Sequence, residues 1–109
     1  MSVIAQVPTI GRIVLYKLTT SDADAINRRR NHAAAHLAEH RDAATGVQIH
    51  IGNSVAMGHE FPMVITRVWG KTPESAVNGQ VMLDGNDLLW VTSSTVGTEP
   101  GQFTWPVRT

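Results

Sequence analysis

Three strand-like runs between Phe61 and Ser94 constrain the fold of this chain more than any other feature of its sequence. The runs are FPMVITRVWG, AVNGQVMLDGND and LLWVTSS, and short polar turns separate them. Connections this short cannot cross over a sheet, so the strands that they join must pair antiparallel. The sequence therefore predicts an antiparallel meander at the centre of the fold.

The segments before this meander predict two more strands and a helix. Residues 9–18 and 47–51 alternate apolar with polar side chains, as half-buried strands do. Between them, residues 21–44 are rich in alanine and predict a helix, with Ser21 as its N-cap and Gly46 as its stop. Together these elements predict a mainly β fold with one inserted helix, of the α+β class.

The number and length of the predicted strands favour a small antiparallel SH3-like barrel or a rolled sheet. A chain of 109 residues with 42% hydrophobic content has enough apolar surface for one core and too little for two. We therefore expect residues 1–8 to form a flexible N-terminal arm and residues 9–109 to form a single β-barrel-like domain that carries the helix.

Charge and cysteine content exclude several classes of protein. Nine basic and nine acidic residues cancel, which removes the electrostatic footprint with which proteins bind duplex nucleic acid. The chain contains no cysteine, which excludes disulfides, thiolate metal sites and a cysteine nucleophile.

The sequence shows no stretch of membrane-spanning length and no pattern of a secretory leader, so we expect a soluble, cytoplasmic protein.

The sequence shows no recognisable catalytic motif. It lacks a glycine-rich phosphate loop followed by lysine, a nucleophile elbow and any histidine–carboxylate cluster at a spacing that forces proximity, so we expect neither enzyme activity nor a cofactor. Asp84 and Asp87 lie in a predicted hairpin turn, where aspartates ordinarily hydrogen-bond the backbone. His32, His36 and His40 recur every four residues, a spacing at which neighbouring histidines can share a metal. Three such side chains spread too far along a helix for one ion, which favours a solvated or interface-facing row and no metal site.

Asn27, Arg28, Arg29 and Arg30 form the only dense basic run of the chain. At 3.6 residues per turn, Arg30 falls on the narrow apolar stripe of the predicted helix, whereas Arg28 lies almost opposite. A guanidinium on such a stripe ordinarily meets a planar anion, which is either a carboxylate of the fold or the phosphate of a ligand. The sequence leaves both alternatives open.

Trp69 and Trp90 belong to the meander and are the aromatic candidates for a binding site. Tryptophans on a small barrel ordinarily pack in the core or at its rim. The alternative is that one of them stacks on a base or a sugar, a contact worth about 1–3 kcal/mol. Because alanine dominates the apolar stripe of the helix, that helix either packs closely against the sheet or pairs with a second copy of itself.

Six segments that together cover nearly the whole chain carry a resemblance to a known group of proteins. They are PTIGRIVLYKL, DADAINRRR, HIGN, FPMVITRVWG, VNGQVMLDGNDLLWVTSS and PGQFTWP. On these segments the chain resembles a widespread family of small proteins encoded in tailed-phage and prophage genomes. It departs from the family pattern near Leu15, where many members have a polar residue, and at His59, where they have an acidic one.

The resemblance implies a non-enzymatic phage accessory protein that acts in the host cytoplasm as a homo-oligomer. The first expectation is that it binds and sequesters a nucleotide-derived immune signal, such as a cyclic nucleotide or a cyclic ADP-ribose variant. The alternatives are a structural or assembly protein of the virion and a direct inhibitor of a host defence protein. We expect no duplex nucleic acid and no membrane among its partners. In the sequestration hypothesis the ligand-binding residues are Asn27, Arg28, Arg29, Arg30, Trp69 and Trp90.

Overall fold

The computed structural model describes residues 5–36 and 51–107 of the chain. The predicted end of the helix near residue 44 and nearly all of the predicted strand over 47–51 lie outside these residues. Pro8, the last residue of the predicted flexible arm, is fully buried. In chain order the elements are β1 (Ile13–Lys17), α1 (Thr20–Ala35), β2 (Glu60–Val68), β3 (Val77–Met82), β4 (Leu88–Ser94) and β5 (Phe103–Thr104).

The strands form one five-stranded sheet in the order β4-β3-β2-β1-β5, and all neighbouring strands are antiparallel. This confirms the predicted meander, in which β2, β3 and β4 are consecutive neighbours, and the α+β class. The sheet is open, so the closed barrel among the predicted forms is wrong. The chain after β4 meets β5 at an isolated parallel bridge between Val96 and Phe103, and the Ser94 hydroxyl donates to the backbone oxygen of Gly101. With two residues, β5 is too short to close the sheet with a ladder of hydrogen bonds.

One face of the sheet and one side of α1 enclose the core. A Cβ atom at Gly79, in the middle of β3, would lie 2.8 Å from the carbonyl oxygen of Val64, so only glycine allows β2 and β3 to approach this closely. Phe103 is fully buried, and the ring of Trp105 packs edge-on against it at 6.1 Å. The largest buried side chains of the strands and helix are Val14, Met63, Ile65, Val77, Val81, Phe103 and Ile26.

Helix α1 begins at a capping box that differs from the predicted cap. The N-cap is Thr19, whose side-chain oxygen accepts a hydrogen bond from the Asp22 backbone at 3.0 Å. Asp22 in return accepts one from the Thr19 backbone N–H at 3.0 Å. Ser21, the predicted N-cap, already lies inside the helix, because Thr19 stands three residues before an acidic side chain and completes the reciprocal pair. The hydroxyl of Tyr16 also donates to Asp22, at 2.6 Å, and so ties the start of α1 to β1.

The buried side of α1 is narrow, as its sequence predicts. Only Ala23, Ile26 and Arg30 are buried along the described helix. Two of these three are apolar, so hydrophobic burial alone contributes little to holding the helix on the sheet. No helix in the described part of the chain is both long enough and apolar enough to cross a membrane.

Candidate functional site

The basic segment of α1 lies against the turn between β3 and β4. The Nη2 atom of Arg29 donates a hydrogen bond to Oδ2 of Asp87 at 2.6 Å, and Nη2 of Arg30 donates to Oδ1 of the same carboxylate at 3.1 Å. One aspartate therefore accepts from two consecutive arginines. Of the two anions that the sequence left open for Arg30, the structure shows a carboxylate of the fold.

Arg30 is the buried centre of this cluster, with only 6% of its surface exposed. Its Nη1 atom donates to the backbone oxygen of Asn53, and Nη2 reaches the backbone oxygen of Asp84 at 3.5 Å. The side chains of Asn53 and Asp84 are hydrogen-bonded to each other at 2.6 Å. A Cβ atom at Gly52 would lie 2.7 Å from Nη2 of Arg30, so glycine leaves the room that the guanidinium occupies. The cluster joins three segments that are far apart in sequence.

The two arginines determine the protonation of Asp87. Partial burial by itself raises the pKa of this carboxyl group, but the hydrogen bonds and positive charges of Arg29 and Arg30 together outweigh burial. The pKa of Asp87 is therefore lower than its ordinary value, and the side chain is ionised at neutral pH. A buried guanidinium and its counter-charge are thus both present in the folded protein.

The other two residues of the basic segment have different surroundings. Asn27 forms a reciprocal pair with the backbone of Val55, donating to its carbonyl at 2.8 Å and accepting from its N–H at 2.9 Å. This pair holds the chain before β2 against α1. Arg28 is exposed and makes no hydrogen bond or ion pair with any described residue.

The two predicted tryptophans lie on the face of the sheet that points away from the core. The indole Nε1 of Trp69 donates to Oδ1 of Asn78 at 3.1 Å, and Trp90 stands directly opposite Gln80 in the β3–β4 pair. Asn78 and Gln80 are two residues apart on β3 and therefore share a face. The guanidinium of Arg67 lies 4.1 Å from the centre of the Trp69 ring.

The sheet separates these tryptophans from the arginine cluster. The backbone N–H of Trp69 donates to the carbonyl of Ala76, just before β3, whereas Asp87 lies in the turn after that strand. At roughly 3.3 Å per residue, the six residues of β3 place them about 20 Å apart. Trp90 is nearer to Asp87 in sequence, but it faces away from the core on which α1 packs. Within one chain, the six predicted ligand-binding residues do not converge on one small ligand.

Asn78 organises the irregular end of the sheet beneath Trp69. Its side-chain oxygen accepts three hydrogen bonds, from Trp69 and from the Thr92 hydroxyl at 2.9 Å and the Ser93 backbone at 3.1 Å. The β3–β4 register shifts at this position, and Ser93 has a positive φ of 57°. Asn78 therefore satisfies the polar groups that this β-bulge leaves without ladder partners.

An apolar surface extends across four strands on the outer side of the sheet. One row runs Ile13, Val64, Gln80, Trp90 from β1 to β4 by direct strand pairing. The next row contains the Leu15–Pro62 pair of β1 and β2 and the Met82–Leu88 pair of β3 and β4. We call these two rows the outer apolar face; seven of its eight members are apolar, and Gln80 carries an uncharged amide. Its members are Ile13, Leu15, Pro62, Val64, Gln80, Met82, Leu88 and Trp90.

Charged residues flank the outer apolar face and do not interrupt it. The pair Lys17 and Glu60 follows the second row at one end, and Arg67 lies beyond the first row at the other. An apolar centre within a polar rim is the usual composition of a protein–protein contact. Trp90 was predicted as a binding residue from the sequence, whereas the face around it was not. The sequence does contain a signal for this face. In residues 81–82 (VM) and 88–91 (LLWV), consecutive side chains are apolar, so both faces of these strands carry apolar residues.

The histidines of α1 do not form a metal site in the described structure. The rings of His32 and His36 have centroids 4.3 Å apart, and His40 lies outside the described residues. Nowhere in residues 5–36 and 51–107 do three histidine or acidic side chains come close enough to hold a metal ion.

Comparison of the chain with protein-family models, with curated proteins and with solved structures found no match. The resemblance to tailed-phage proteins therefore stays a prediction.

Proposed function

We propose that this protein is a small non-catalytic assembly protein that docks another polypeptide on its outer apolar face. In the phage setting that the sequence resembles, this is the role of a structural or assembly protein. The observation that carries the proposal is the continuity of the face. It spans four neighbouring strands without a charged side chain, although it lies on the solvent side of the sheet.

The size of the face supports a binding role. Ile13, Met82, Leu88, Trp90 and the adjacent Trp69 are each 49–57% exposed. Side chains of these types present roughly 150–250 Å² when free, so the five leave about 500 Å² of apolar surface in water. A patch of about 300–600 Å² is the largest that a typical monomer carries, and such patches are often functional. The less exposed members of the face add to this area, and two such faces together reach the roughly 1,000 Å² that a specific interface needs.

The polar residues that the structure brings together support a non-catalytic role. Asp87 forms ion pairs with Arg29 and Arg30, and Arg30 also donates to the backbone oxygens of Asn53 and Asp84. Its Nε is the one buried side-chain donor among the described residues that has no hydrogen-bond partner. This set of contacts stabilises the packing of α1 against the β3–β4 turn. It leaves no activated nucleophile or general base in the cluster.

Site-specific photo-crosslinking tests the proposal. A photo-reactive amino acid is placed at Gln80, in the middle of the outer apolar face, and in a second variant at the exposed Glu74, outside it. Both variants are irradiated in cells that carry the gene, and the adducts are identified by mass spectrometry. We expect a defined protein adduct from Gln80 only, and its loss when Trp90→Glu is added. No adduct from Gln80, or the same adducts from both positions, would refute the docking function.

Sequestration of a nucleotide-derived signal is a second candidate, and one observation favours it. Arg28 is exposed and forms no hydrogen bond or ion pair with any described residue, so its guanidinium can reach an anionic ligand. In this candidate, Arg28 binds phosphate, and a tryptophan of another copy supplies the stacking platform. Ligand at 100 times its Kd would stabilise the protein by about 2.7 kcal/mol. Thermal melting of the protein with cyclic nucleotides and with cyclic ADP-ribose isomers tests this candidate, and Arg28→Ala is the control. An unchanged Tm at millimolar ligand counts against sequestration.

A further inference from the structure

We infer that the polypeptide docked on the outer apolar face is a second copy of this chain, with β2 of one copy crossing antiparallel over β2 of the other. This inference rests on the proposed docking function and names its partner. The two sheets would stack face to face about 10 Å apart, as the layers of a β-sandwich do.

The charges at the two ends of β2 carry the inference. Glu60 begins this strand on one side of the apolar rows, and Arg67 lies near its end on the other side. Both are exposed, and neither forms an ion pair with a described residue; the contact that the structure gives Arg67 is with the ring of Trp69. When two copies of such a strand are related by a two-fold axis, the negative end of each copy meets the positive end of the other.

A two-fold axis that passes between the Pro62 and Val64 positions of β2 provides a partner for both of these charged side chains. It places Glu60 of each copy opposite Arg67 of the other, which gives two equivalent ion pairs at the rim. The same axis lays the row that contains Trp90 over the row that contains Leu88 of the second copy. The apolar centres then cover each other, and both charges obtain ion-pair partners that they do not have among the described residues of one chain. Lys17 lies directly opposite Glu60 on β1, but its ammonium group donates to the backbone oxygen of Thr98.

Two global properties agree with a second copy as the partner. The chain has a net charge of zero, so two copies do not repel each other at long range. The apolar face contains no charged side chain with which to select a strongly acidic or basic partner. Two faces of about 500 Å² or more each would bury at least about 1,000 Å², the area that a specific interface needs.

A charge-swap experiment tests the arrangement. Sedimentation equilibrium of the wild type should give twice the 11.8 kDa chain mass. Glu60→Arg or Arg67→Glu alone places like charges opposite each other at two symmetric sites, and we expect dimerisation to weaken about 10- to 100-fold. The double variant Glu60→Arg/Arg67→Glu restores opposite pairs and should dimerise within about threefold of the wild type. Glu74→Arg makes the same change of charge outside the face and should have no effect.

The outcomes separate this inference from the docking function. Loss of the dimer in both single variants and its recovery in the double variant support the crossing of β2 over β2. A wild-type monomer at several hundred micromolar, or a dimer that the single variants leave intact, overturns the inference. If the monomer still gives a Gln80 adduct with a different protein, the docking function survives without it. Trp90→Glu, at an exposed site, should break the dimer while circular dichroism shows an unchanged fold.

Discussion

Replacing Asp87 with alanine is the perturbation that most directly tests the account of the arginine cluster. Asp87 is the carboxylate that forms ion pairs with both Arg29 and Arg30, and Arg30 is almost fully buried. In Asp87→Ala, the guanidinium of Arg30 keeps only the backbone oxygens of Asn53 and Asp84 as acceptors. The variant therefore contains a buried positive charge without a counter-charge, which is among the most destabilising changes available in a small domain.

The expected loss follows from the exposure of the two ion pairs. Removing one partner of a buried pair costs about 3–5 kcal/mol, and the lower end applies because the Asp87 side chain is itself 24% exposed. The Arg29 pair is half exposed and adds at most about 1 kcal/mol. The free energy of unfolding should thus fall by about 3–4 kcal/mol. At roughly 4 °C per kcal/mol, the Tm should fall by about 12–16 °C.

Urea unfolding at pH 7, followed by tryptophan fluorescence, measures the change. Arg29→Ala is the matched control, because it breaks only the exposed pair and should cost no more than about 1 kcal/mol. The double variant Arg30→Met/Asp87→Ala should be more stable than Asp87→Ala, since it also removes the uncompensated charge. If Asp87→Ala lies within about 1 kcal/mol of the wild type, the reasoning about the buried pair is wrong.

The same carboxyl group gives a pH dependence with a defined sign. Because the folded pKa of Asp87 is lowered, the folded state binds this proton more weakly than the unfolded state does. The contribution of Asp87 is complete above its unfolded pKa, near 4, and is lost as pH falls through the lower folded value. Wild-type stability should therefore drop more steeply between pH 4 and 2 than that of Asp87→Ala. Equal slopes would contradict the assignment.

Three further predictions concern Tyr16, Asn78 and Ser93. Burial and the hydrogen bond to Asp22 raise the pKa of Tyr16, so the stability that the neutral hydroxyl contributes is complete below pH 10 and is lost above it. In urea titrations, Tyr16→Phe should remove this alkaline loss of stability and lower the free energy of unfolding by about 1–2 kcal/mol at pH 7. Asn78→Leu leaves three donors without their acceptor and should lower the Tm by at least about 8 °C, and an unchanged Tm would refute its structural role. Ser93→Gly relieves a positive φ and should raise stability by about 0.5–1 kcal/mol, whereas a loss would contradict the strain.

Local patterns predicted most of the described secondary structure. The observed β4, Leu88–Ser94, has the predicted bounds, because alternation of side chains and a hairpin turn are read from neighbouring residues. The start of α1 was misplaced because Ser21 and Thr19 are both residue types that cap helices. Asp22, which bonds both Thr19 and Tyr16, selects between them, and the bond to Tyr16 depends on the position of β1.

The candidate sites were predictable only in part. Helical periodicity correctly placed Arg30 on the buried side of α1. Its partner Asp87 was assigned only to the turn, because the two residues are 57 positions apart and nothing local connects them. Trp90 was recognised as a binding candidate, but the apolar rows around it come from four strands whose register is unknown from sequence.

The sequence by itself determined the antiparallel meander, the single inserted helix and the arginine on its buried stripe. Each of these follows from periodicity and turn chemistry within a few residues. Only the tertiary structure decided that the sheet stays open, that one aspartate pairs with two arginines, and that one apolar side of the strands faces water. The physical reason is that side-chain alternation specifies two faces of a strand, whereas packing between distant segments decides which face is covered.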